Sequence, residues 1–225
     1  MTVTSKLPGS PEELADLPYA DLLQPHEGGG LAIEVRYDTV HFDRLDFEDE
    51  EAAGASFLEC AITDSSFTGV SLRRSRLNDV WLRGDRFVGT RFAESDWLDV
   101  TADSCVLAGV EAFGAVLRRV VFRRCKFDSV NLRGAELYDV VFEDCVLLDV
   151  DLGGAKLDGV SFPGTAVERI RLGRATLKRA DLRGATLLDL ADGYESLRGA
   201  VISTGQLLEL APALAVTIGI TVKDD

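Results

Sequence analysis

The sequence predicts an all-β solenoid, a chain wound into stacked coils, and three observations carry this prediction. Large apolar residues recur at every fifth position, and like units recur every 20 residues. Neither the 3.6-residue period of an amphipathic helix nor the two-residue period of a strand fits this pattern. Each five-residue unit therefore corresponds to one side and one corner of a coil, with four units to each turn.

The five-residue period runs from Phe42 to Leu207 without an insertion. It comprises 34 positions, of which thirty are Phe, Leu, Ile, Val or Trp. Small or β-branched residues stand two positions before these apolar centres, and Gly or Asp often stands two positions after them, where a tight turn is expected. We therefore expect the centres to form the core. The exceptions among the centres are Ala52, Ala102, Ala112 and Asp192.

Residues 20 positions apart are expected to lie on adjacent coils, about 4.8 Å from each other. This spacing predicts two ladders of phenylalanine rings at centroid distances that favour aromatic stacking. They consist of Phe47, Phe67 and Phe87, and of Phe122, Phe142 and Phe162. The core is expected to be thinnest near Ala102 and Ala112, where we predict either a bulge that turns Phe113 inward or a narrowed coil.

Several units resemble the pentapeptide-repeat motif, among them ADLRG at 180–184, VNLRG at 130–134, CKFDS at 125–129 and VSLRR at 70–74. The resemblance covers about residues 40–207. It implies a right-handed quadrilateral β-helix, and at four units per coil the repeat gives about 8–9 turns.

Residues 1–39 and 208–225 are predicted to cap the two ends, because the open backbone at each end of a solenoid needs cover. We expect an acidic N-terminal cap with a short helix near 11–17, begun by a capping box at Ser10-Pro11-Glu12-Glu13, and then a linker at Gly28-Gly29-Gly30. The C-terminal segment is expected to contain a helix and a last strand at 218–222. The helix either plugs the coil or forms a homodimer contact, as similar tails do in some pentapeptide-repeat proteins. Its candidate contact residues are Leu207, Leu210, Leu214 and Ile218.

Composition excludes several classes of protein. The 225 residues include 24 Lys and Arg against 38 Asp and Glu, a net charge of −14, so we expect no direct nucleic-acid binding and an attraction to basic partners. Four cysteines are too few for a disulfide scaffold, the N-terminal residues lack an export signal, and no apolar run approaches membrane length. The sequence therefore predicts a cytoplasmic protein without a membrane span.

No catalytic residue, cofactor or metal site is predicted. His26 and His41 have neither a nucleophile nor a second ligand at a recognisable spacing, and we expect both to be solvated. Cys105, Cys125 and Cys145 form one inward column with neighbours about 5 Å apart. A linear column does not converge on one ion, so these residues are expected to be buried, reduced thiols.

Two outward surfaces are the candidate functional sites. Trp81, Thr101, Val121 and Val141 share one column and form either an exposed apolar stripe for a partner or a surface that the N-terminal segment covers. The second candidate is an acidic partner face that Arg119 and Arg179 interrupt. Its residues are Glu59, Asp79, Asp96, Asp99, Glu136 and Asp139.

The sequence favours a non-catalytic protein-interaction module whose partner it does not specify. The family resemblance implies an alternative, because some pentapeptide-repeat proteins mimic DNA and bind the type II topoisomerase DNA gyrase. Carboxylates repeating at about 4.8 Å would resemble the roughly 3.4 Å phosphate spacing of one DNA strand. Against a uniform mimic, residues 1–51 have a net charge of −10, whereas residues 52–207 have 22 acidic and 20 basic residues.

Overall fold

The computed structural model describes residues 11–223, so the part of the expected capping box at Ser10 lies outside the described residues. Within this range the chain forms many short strands, three 3₁₀ turns and one α-helix. The 3₁₀ turns are Leu14–Asp16, Ala20–Leu22 and Tyr194–Leu197, and the helix α1 is Thr204–Thr217.

The strands follow one another in chain order with tight corners between them. The first twelve are β1 (Gln24–Pro25), β2 (Arg36–Asp38), β3 (Val40–Asp43), β4 (Asp46–Glu48), β5 (Ser56–Leu58), β6 (Ala61–Thr63), β7 (Ser66–Thr68), β8 (Arg76–Asn78), β9 (Trp81–Arg83), β10 (Arg86–Val88), β11 (Asp96–Leu98) and β12 (Thr101–Asp103). The others are β13 (Val106–Ala108), β14 (Val116–Arg118), β15 (Val121–Arg123), β16 (Lys126–Asp128), β17 (Glu136–Tyr138), β18 (Val141–Glu143), β19 (Val146–Leu148), β20 (Lys156–Asp158), β21 (Ala166–Arg171), β22 (Thr176–Lys178), β23 (Ala180–Asp181), β24 (Leu187–Asp192) and β25 (Ala200–Val201).

Three long parallel sheets form three sides of the solenoid. Their strand orders are β1-β3-β6-β9-β12-β15-β18, β2-β5-β8-β11-β14-β17-β20-β22 and β4-β7-β10-β13-β16-β19-β21-β24, and β23 pairs with β25. The fourth side consists of turns joined by single parallel bridges, which link Glu51, Ser71, Arg91, Glu111, Asn131, Asp151 and Arg171 in succession. The protein is therefore a right-handed quadrilateral β-helix of about nine turns with a C-terminal helix, and the predicted fold class is confirmed.

Stacked aromatic rings run through the core as the 20-residue period predicts. Phe142 lies between Phe122 and Phe162 at centroid distances of 5.2 and 5.3 Å, with ring planes within 10° of parallel. Phe67 lies between Phe47 and Phe87 at 5.1 and 5.0 Å. Both predicted ladders are confirmed. Buried rings at these distances add a specific aromatic attraction to the hydrophobic free energy of the core.

The solenoid begins earlier than the predicted boundary at residue 40. Strand β1 pairs with β3 and β2 pairs with β5, so residues 24–38 already form an incomplete first coil. In place of the helix expected near 11–17 the chain makes the 3₁₀ turn Leu14–Asp16. The Oδ2 atom of Asp16 accepts hydrogen bonds from the backbone N–H groups of Glu12 at 3.1 Å and Glu13 at 2.9 Å.

The five-residue register slips by one residue after Leu182, contrary to the prediction of an unbroken period to Leu207. Leu188 and Leu190 are buried, whereas Leu187, the predicted centre, is 45% exposed. The pairing of β21 with β24 is irregular at the same level, because an extra residue is accommodated there. The change of register is local, because β25 pairs with β23 in the 20-residue register again, with Ala200 opposite Ala180.

The C-terminal helix begins with a capping box. The backbone N–H of Gln206 donates to Ser203 Oγ at 3.2 Å, and the backbone N–H of Ser203 donates to Gln206 Oε1 at 2.9 Å. After α1 the described residues 218–223 contain no strand, so the expected last strand is wrong. No helix among residues 11–223 is long and apolar enough to span a membrane.

The core has its thin part where the alanine exceptions predict it. A cavity of about 20 Å³ borders Ala112, Phe92, Trp97 and Phe122. Phe113 is half-buried on the outside, and Ala112 keeps its regular hydrogen bond to Asn131 at 2.8 Å. The prediction of a bulge that turns Phe113 inward is therefore wrong, since the regular corner holds that side chain outward.

Candidate interaction surfaces

Ion pairs between adjacent coils neutralise most of the predicted acidic face. Arg119 binds Asp99 through two hydrogen bonds, Nε to Oδ1 at 2.7 Å and Nη2 to Oδ2 at 2.5 Å. Arg179 lies 3.5 Å from Asp139 and 2.6 Å from Asp158. The arginines that interrupt the column therefore pair with its carboxylates.

The two flanking carboxylates of this face are paired as well. Asp96 accepts a hydrogen bond from Arg118 at 2.8 Å, and Glu136 accepts one from Lys156 at 2.6 Å. The phenol of Tyr138 also donates to Glu136 at 2.7 Å, and the hydrogen bonds from Lys156 and Tyr138 lower the pKa of Glu136. Such pairs leave little free negative charge on this part of the coil.

Glu59 and Asp79 are the two members of the predicted acidic face that form no ion pair with a described residue. They lie on adjacent coils, and both have positive φ angles, 50° and 52°. Partial burial, and then the neighbouring Asp99 and Glu59, raise the pKa of Asp79. Only this N-terminal part of the face keeps the unpaired carboxylates that phosphate mimicry would use.

The largest excess of negative charge lies at the N-terminal end of the solenoid. Residues 11–64, here called the acidic end, contain fifteen Asp and Glu and two Arg, a net −13 out of −14 for the whole chain. Three of these carboxylates form ion pairs, those of Asp38, Asp43 and Glu51. The other twelve have no cationic partner within the described part of the chain. In the sequence, these carboxylates can be recognised from the net charge of the segment and not from the 20-residue period that defines the predicted acidic face.

The predicted apolar stripe is not an exposed surface. Trp81, Val121 and Val141 have exposed fractions of 2%, 5% and 7%. Residues 12–23, here called the strap, cover Trp81 together with Ala61 and bury Leu17 and Tyr19 against them. The stripe as a partner surface is therefore corrected. The alternative in which the N-terminal segment folds back over it agrees with the burial of Trp81.

Val121 and Val141 lie beyond the strap and are buried on the sheet itself. They pair as neighbours on β15 and β18, so their side chains stack on the same face. Arg123 and Glu143 flank them on these strands and form an ion pair at 2.9 Å, with the Arg123 side chain only 9% exposed. Long neighbouring side chains thus cover valines that the repeat pattern places on the outside.

The four predicted C-terminal contact residues divide into two pairs. Leu210 is buried in the solenoid core and Leu214 packs partly against it. Leu207 is 48% exposed and Ile218 is 72% exposed. Gln206 fixes the helix to the coil by donating from Nε2 to the carbonyl oxygen of Leu182 at 2.7 Å. One face of α1 is therefore the plug, and the other remains an apolar surface.

Three of the four cysteines belong to a column of buried polar side chains, here called the polar column. Its members are Ser65, Asp85, Cys105, Cys125, Cys145 and Thr165. Side chains in this column accept hydrogen bonds from the backbone N–H one coil earlier, as Cys125 Sγ does from Cys105 N at 3.4 Å and Thr165 Oγ1 from Cys145 N at 3.0 Å. All four cysteines are buried free thiols. Hydrogen bonding to Cys125 and burial raise the pKa values of Cys105 and Cys145.

Both histidines are half-buried and have structural partners. The ring of His26 stacks on Phe42 at a centroid distance of 4.7 Å and covers the N-terminal end of the core. His41 Nε2 lies 2.8 Å from Thr63 Oγ1. Among the described residues, no group of His, Cys, Asp and Glu side chains converges as a metal site.

A four-sided parallel solenoid with a buried apolar centre at every fifth position, here from Phe42 to Leu182, is the architecture of pentapeptide-repeat proteins. Residues 115–191 match the family model of the pentapeptide repeat region, and the same units continue on both sides of the match. Residues 115–191 are therefore a pentapeptide repeat region. No curated protein matches its sequence.

The solved structures that match this chain are distant in sequence. A trypsin-treated variant of QnrB1, a plasmid-mediated fluoroquinolone resistance protein, is 16% identical, with a TM-score of 0.61 over 89% of this chain and 97% of that chain. At this identity the likeness to the QnrB1 variant extends to the fold alone. HetL, a pentapeptide repeat protein involved in heterocyst differentiation regulation from the cyanobacterium Nostoc sp. Strain PCC 7120, is 20% identical, with a TM-score of 0.36 over 79% of this chain and 93% of that chain.

Proposed function

We propose that the protein is a non-catalytic interaction module of the cytoplasm and that its acidic end binds a basic protein partner. The observation that carries this proposal is the contrast in charge pairing along the solenoid. Three of fifteen carboxylates in residues 11–64 form ion pairs, against eleven of the 21 carboxylates in residues 65–223. Unpaired charge of one sign attracts an oppositely charged surface and speeds its association.

The interior of the solenoid supports the non-catalytic part of the proposal. Phenylalanine, leucine and valine side chains fill it, and the cavity beside Ala112 has a volume of about 20 Å³, room for a water molecule rather than a substrate. The polar column is buried and engaged with the backbone. Function is therefore assigned to the outer surface.

Affinity capture at two salt concentrations tests this proposal. The immobilised protein is incubated with an extract of the cells that produce it, and retained proteins are identified by mass spectrometry. We expect basic proteins to be retained at low salt and released by about 0.5 M salt, because screening shortens the range of exposed charges to a few Å. Retained proteins that are acidic, or binding that salt does not weaken, would count against an electrostatic contact.

DNA mimicry toward gyrase is the second candidate. The unpaired Glu59 and Asp79, the net charge of −14 and the resemblance to family members that bind gyrase favour it, as does the fold shared with a fluoroquinolone resistance protein. In a binding assay with purified gyrase, the double change of Glu59 and Asp79 to Lys should abolish binding. Asp99 and Asp139 are left unchanged because they pair with Arg119 and Arg179. The same double change of Glu195 and Glu209 is the control. Absence of wild-type binding at low salt would remove this candidate.

We also propose that two copies associate through the exposed face of α1. This end of the chain exposes four large apolar side chains: Leu207, Leu208 and Val216 on α1, and Ile218 directly after it. Contiguous exposed apolar side chains are typical of a surface that another protein covers. Sedimentation velocity should show a dimer for the wild type and a monomer for Leu208→Glu. Glu209→Gln changes the neighbouring exposed residue and should leave the dimer intact. A monomeric wild type at high micromolar concentration would contradict this association.

A further inference from the structure

The strap is attached to the solenoid by side chains rather than by strand pairing. Its backbone hydrogen bonds are local, such as that from Leu17 N to the carbonyl of Leu14, and pairing with the coils begins at β1. The Tyr19 hydroxyl donates to the carbonyl oxygens of Asp79 at 2.6 Å and Cys60 at 3.3 Å. A segment held in this way can leave the surface without breaking a sheet.

The surface beneath the strap has the chemistry of a peptide-binding site. Trp81 and Ala61 provide a flat apolar patch, and the Arg83 guanidinium lies 5.7 Å from the Trp81 ring centre. Arg83 also donates to the carbonyl oxygen of Glu12 at 2.9 Å. An aromatic anchor beside an arginine can recognise an apolar side chain and a backbone carbonyl of a ligand, as it does those of the strap.

The strap leaves one donor of this surface unsatisfied. Among the described residues, the buried Trp81 Nε1 has no hydrogen-bond partner. A buried N–H without a partner loses its hydration and gains nothing in return. A ligand that places a carbonyl or carboxylate oxygen at this N–H would therefore match the surface better than the strap does.

We propose that Ala61, Trp81 and Arg83 form a docking site for a short peptide of a partner protein with two apolar side chains two residues apart, and that the strap occupies it as a displaceable intramolecular ligand. The strap shows the chemistry that fits: Leu17 and Tyr19 are two residues apart, and both are buried against Trp81 and Ala61. Because the strap is tethered to the solenoid, it competes with a partner peptide at a high effective concentration. The partner peptide must therefore bind the surface more tightly than the strap does, and a hydrogen bond from the indole N–H of Trp81 would add this affinity. The inference rests on the interaction-module proposal but concerns a different surface from the rest of the acidic end.

Trp81 fluorescence in a Trp97→Phe background tests the inference, because the chain contains two tryptophans. Leu17→Asp removes a buried strap contact, and Leu22→Asp, at an exposed position of the same segment, is the matched control. We expect acrylamide quenching of Trp81 to rise severalfold in Leu17→Asp and to stay unchanged in Leu22→Asp. A synthetic peptide of residues 11–23, added to Leu17→Asp, should restore protection, and the same peptide with Tyr19→Ala should not.

Equal quenching in the two variants, or no protection by the peptide at millimolar concentration, would overturn the inference. If circular dichroism shows that Leu17→Asp does not fold, Tyr19→Phe replaces it, since this change removes two hydrogen bonds without removing volume. Its quenching should then lie above that of the wild type, and wild-type quenching would overturn the inference. The measurement needs no cellular partner, so its failure is distinguishable from failure of the proposed function.

Discussion

Asp85 Oδ1 accepts a hydrogen bond of 2.9 Å from the backbone N–H of Ser65, the residue one coil earlier in the polar column. Its Oδ2 accepts a second one, 3.0 Å long, from Arg83 N–H, and the residue has no exposed surface. Burial raises the pKa of Asp85 to about 8, although both N–H groups act in the opposite direction. The carboxyl group is therefore protonated inside the folded protein at neutral pH.

Replacing Asp85 by Ser should stabilise the protein increasingly as pH rises. The unfolded chain releases this proton near pH 3.8 and the folded protein near 8, so Asp85 lowers the free energy of unfolding progressively across that window. Ser65 shows that a serine fits the column, since its Oγ accepts from Leu45 N at 3.0 Å and donates to Thr63 O at 3.0 Å. In urea unfolding, the gain from Asp85→Ser should grow by roughly 3–4 kcal/mol between pH 5 and pH 8. A gain independent of pH would contradict this assignment.

Phe142→Ala should destabilise the protein by about 3–5 kcal/mol, because it removes a ring that is stacked on both sides and leaves a cavity. Lys126→Ala, at an exposed position, should change the free energy of unfolding by less than about 0.5 kcal/mol. Glu143 is not a suitable control, since it pairs with the poorly exposed Arg123. Thermal and urea unfolding measure both values, and similar losses would contradict the assignment of inward and outward positions.

Gly69→Ala should destabilise the protein by roughly 1–3 kcal/mol. Gly69 has φ of +65°, and a Cβ there would lie 2.1 Å from Asp49 Oδ1. Gly89, one coil further, has φ of +59° and open space around it, so Gly89→Asn is the matched control and should be close to neutral. If Gly69→Ala is tolerated as well as Gly89→Asn, the contact between Asp49 and Gly69 does not constrain the corner.

Ala112→Val should stabilise the protein by about 1 kcal/mol, since two added methyl groups fill part of the apolar cavity of about 20 Å³. Ala112→Phe should destabilise it by about 1–3 kcal/mol, because a full ring exceeds the available space. Differential scanning calorimetry of the two variants tests this pair. Stabilisation by Phe would show that the coil can widen at this level.

Most of the fold can be predicted from the sequence because every five-residue unit does the same thing: it buries one apolar side chain and turns one corner of the coil. The centres from Phe42 to Leu182 are buried in the predicted phase, and the phenylalanine ladders follow directly from the 20-residue coil. The slip at Leu188 could not be predicted, because Leu187 and Leu188 are equally apolar and the choice depends on the neighbouring irregular strand.

The candidate sites were less predictable because they depend on contacts outside the repeat. The strap over Trp81 comes from a non-periodic segment, and no spacing rule fixes where Leu17 and Tyr19 pack. The pairing of Arg119 with Asp99 did have a signal, since opposite charges 20 residues apart lie on adjacent coils. The burial of Asp85 could also have been predicted from the sequence, because Asp85 occupies an inward position 20 residues before Cys105 in the polar column.

Neutralising four carboxylates of the acidic end shows whether this end attracts basic proteins. One bait carries Glu27→Gln, Asp46→Asn, Glu48→Gln and Asp49→Asn. The control bait carries Glu111→Gln, Glu168→Gln, Glu195→Gln and Glu209→Gln, with the same change in net charge. In quantitative affinity capture, the account predicts that the first bait loses basic proteins that the wild type and the control retain. Retention of the same proteins by the first bait, or their loss from the control alone, would contradict it.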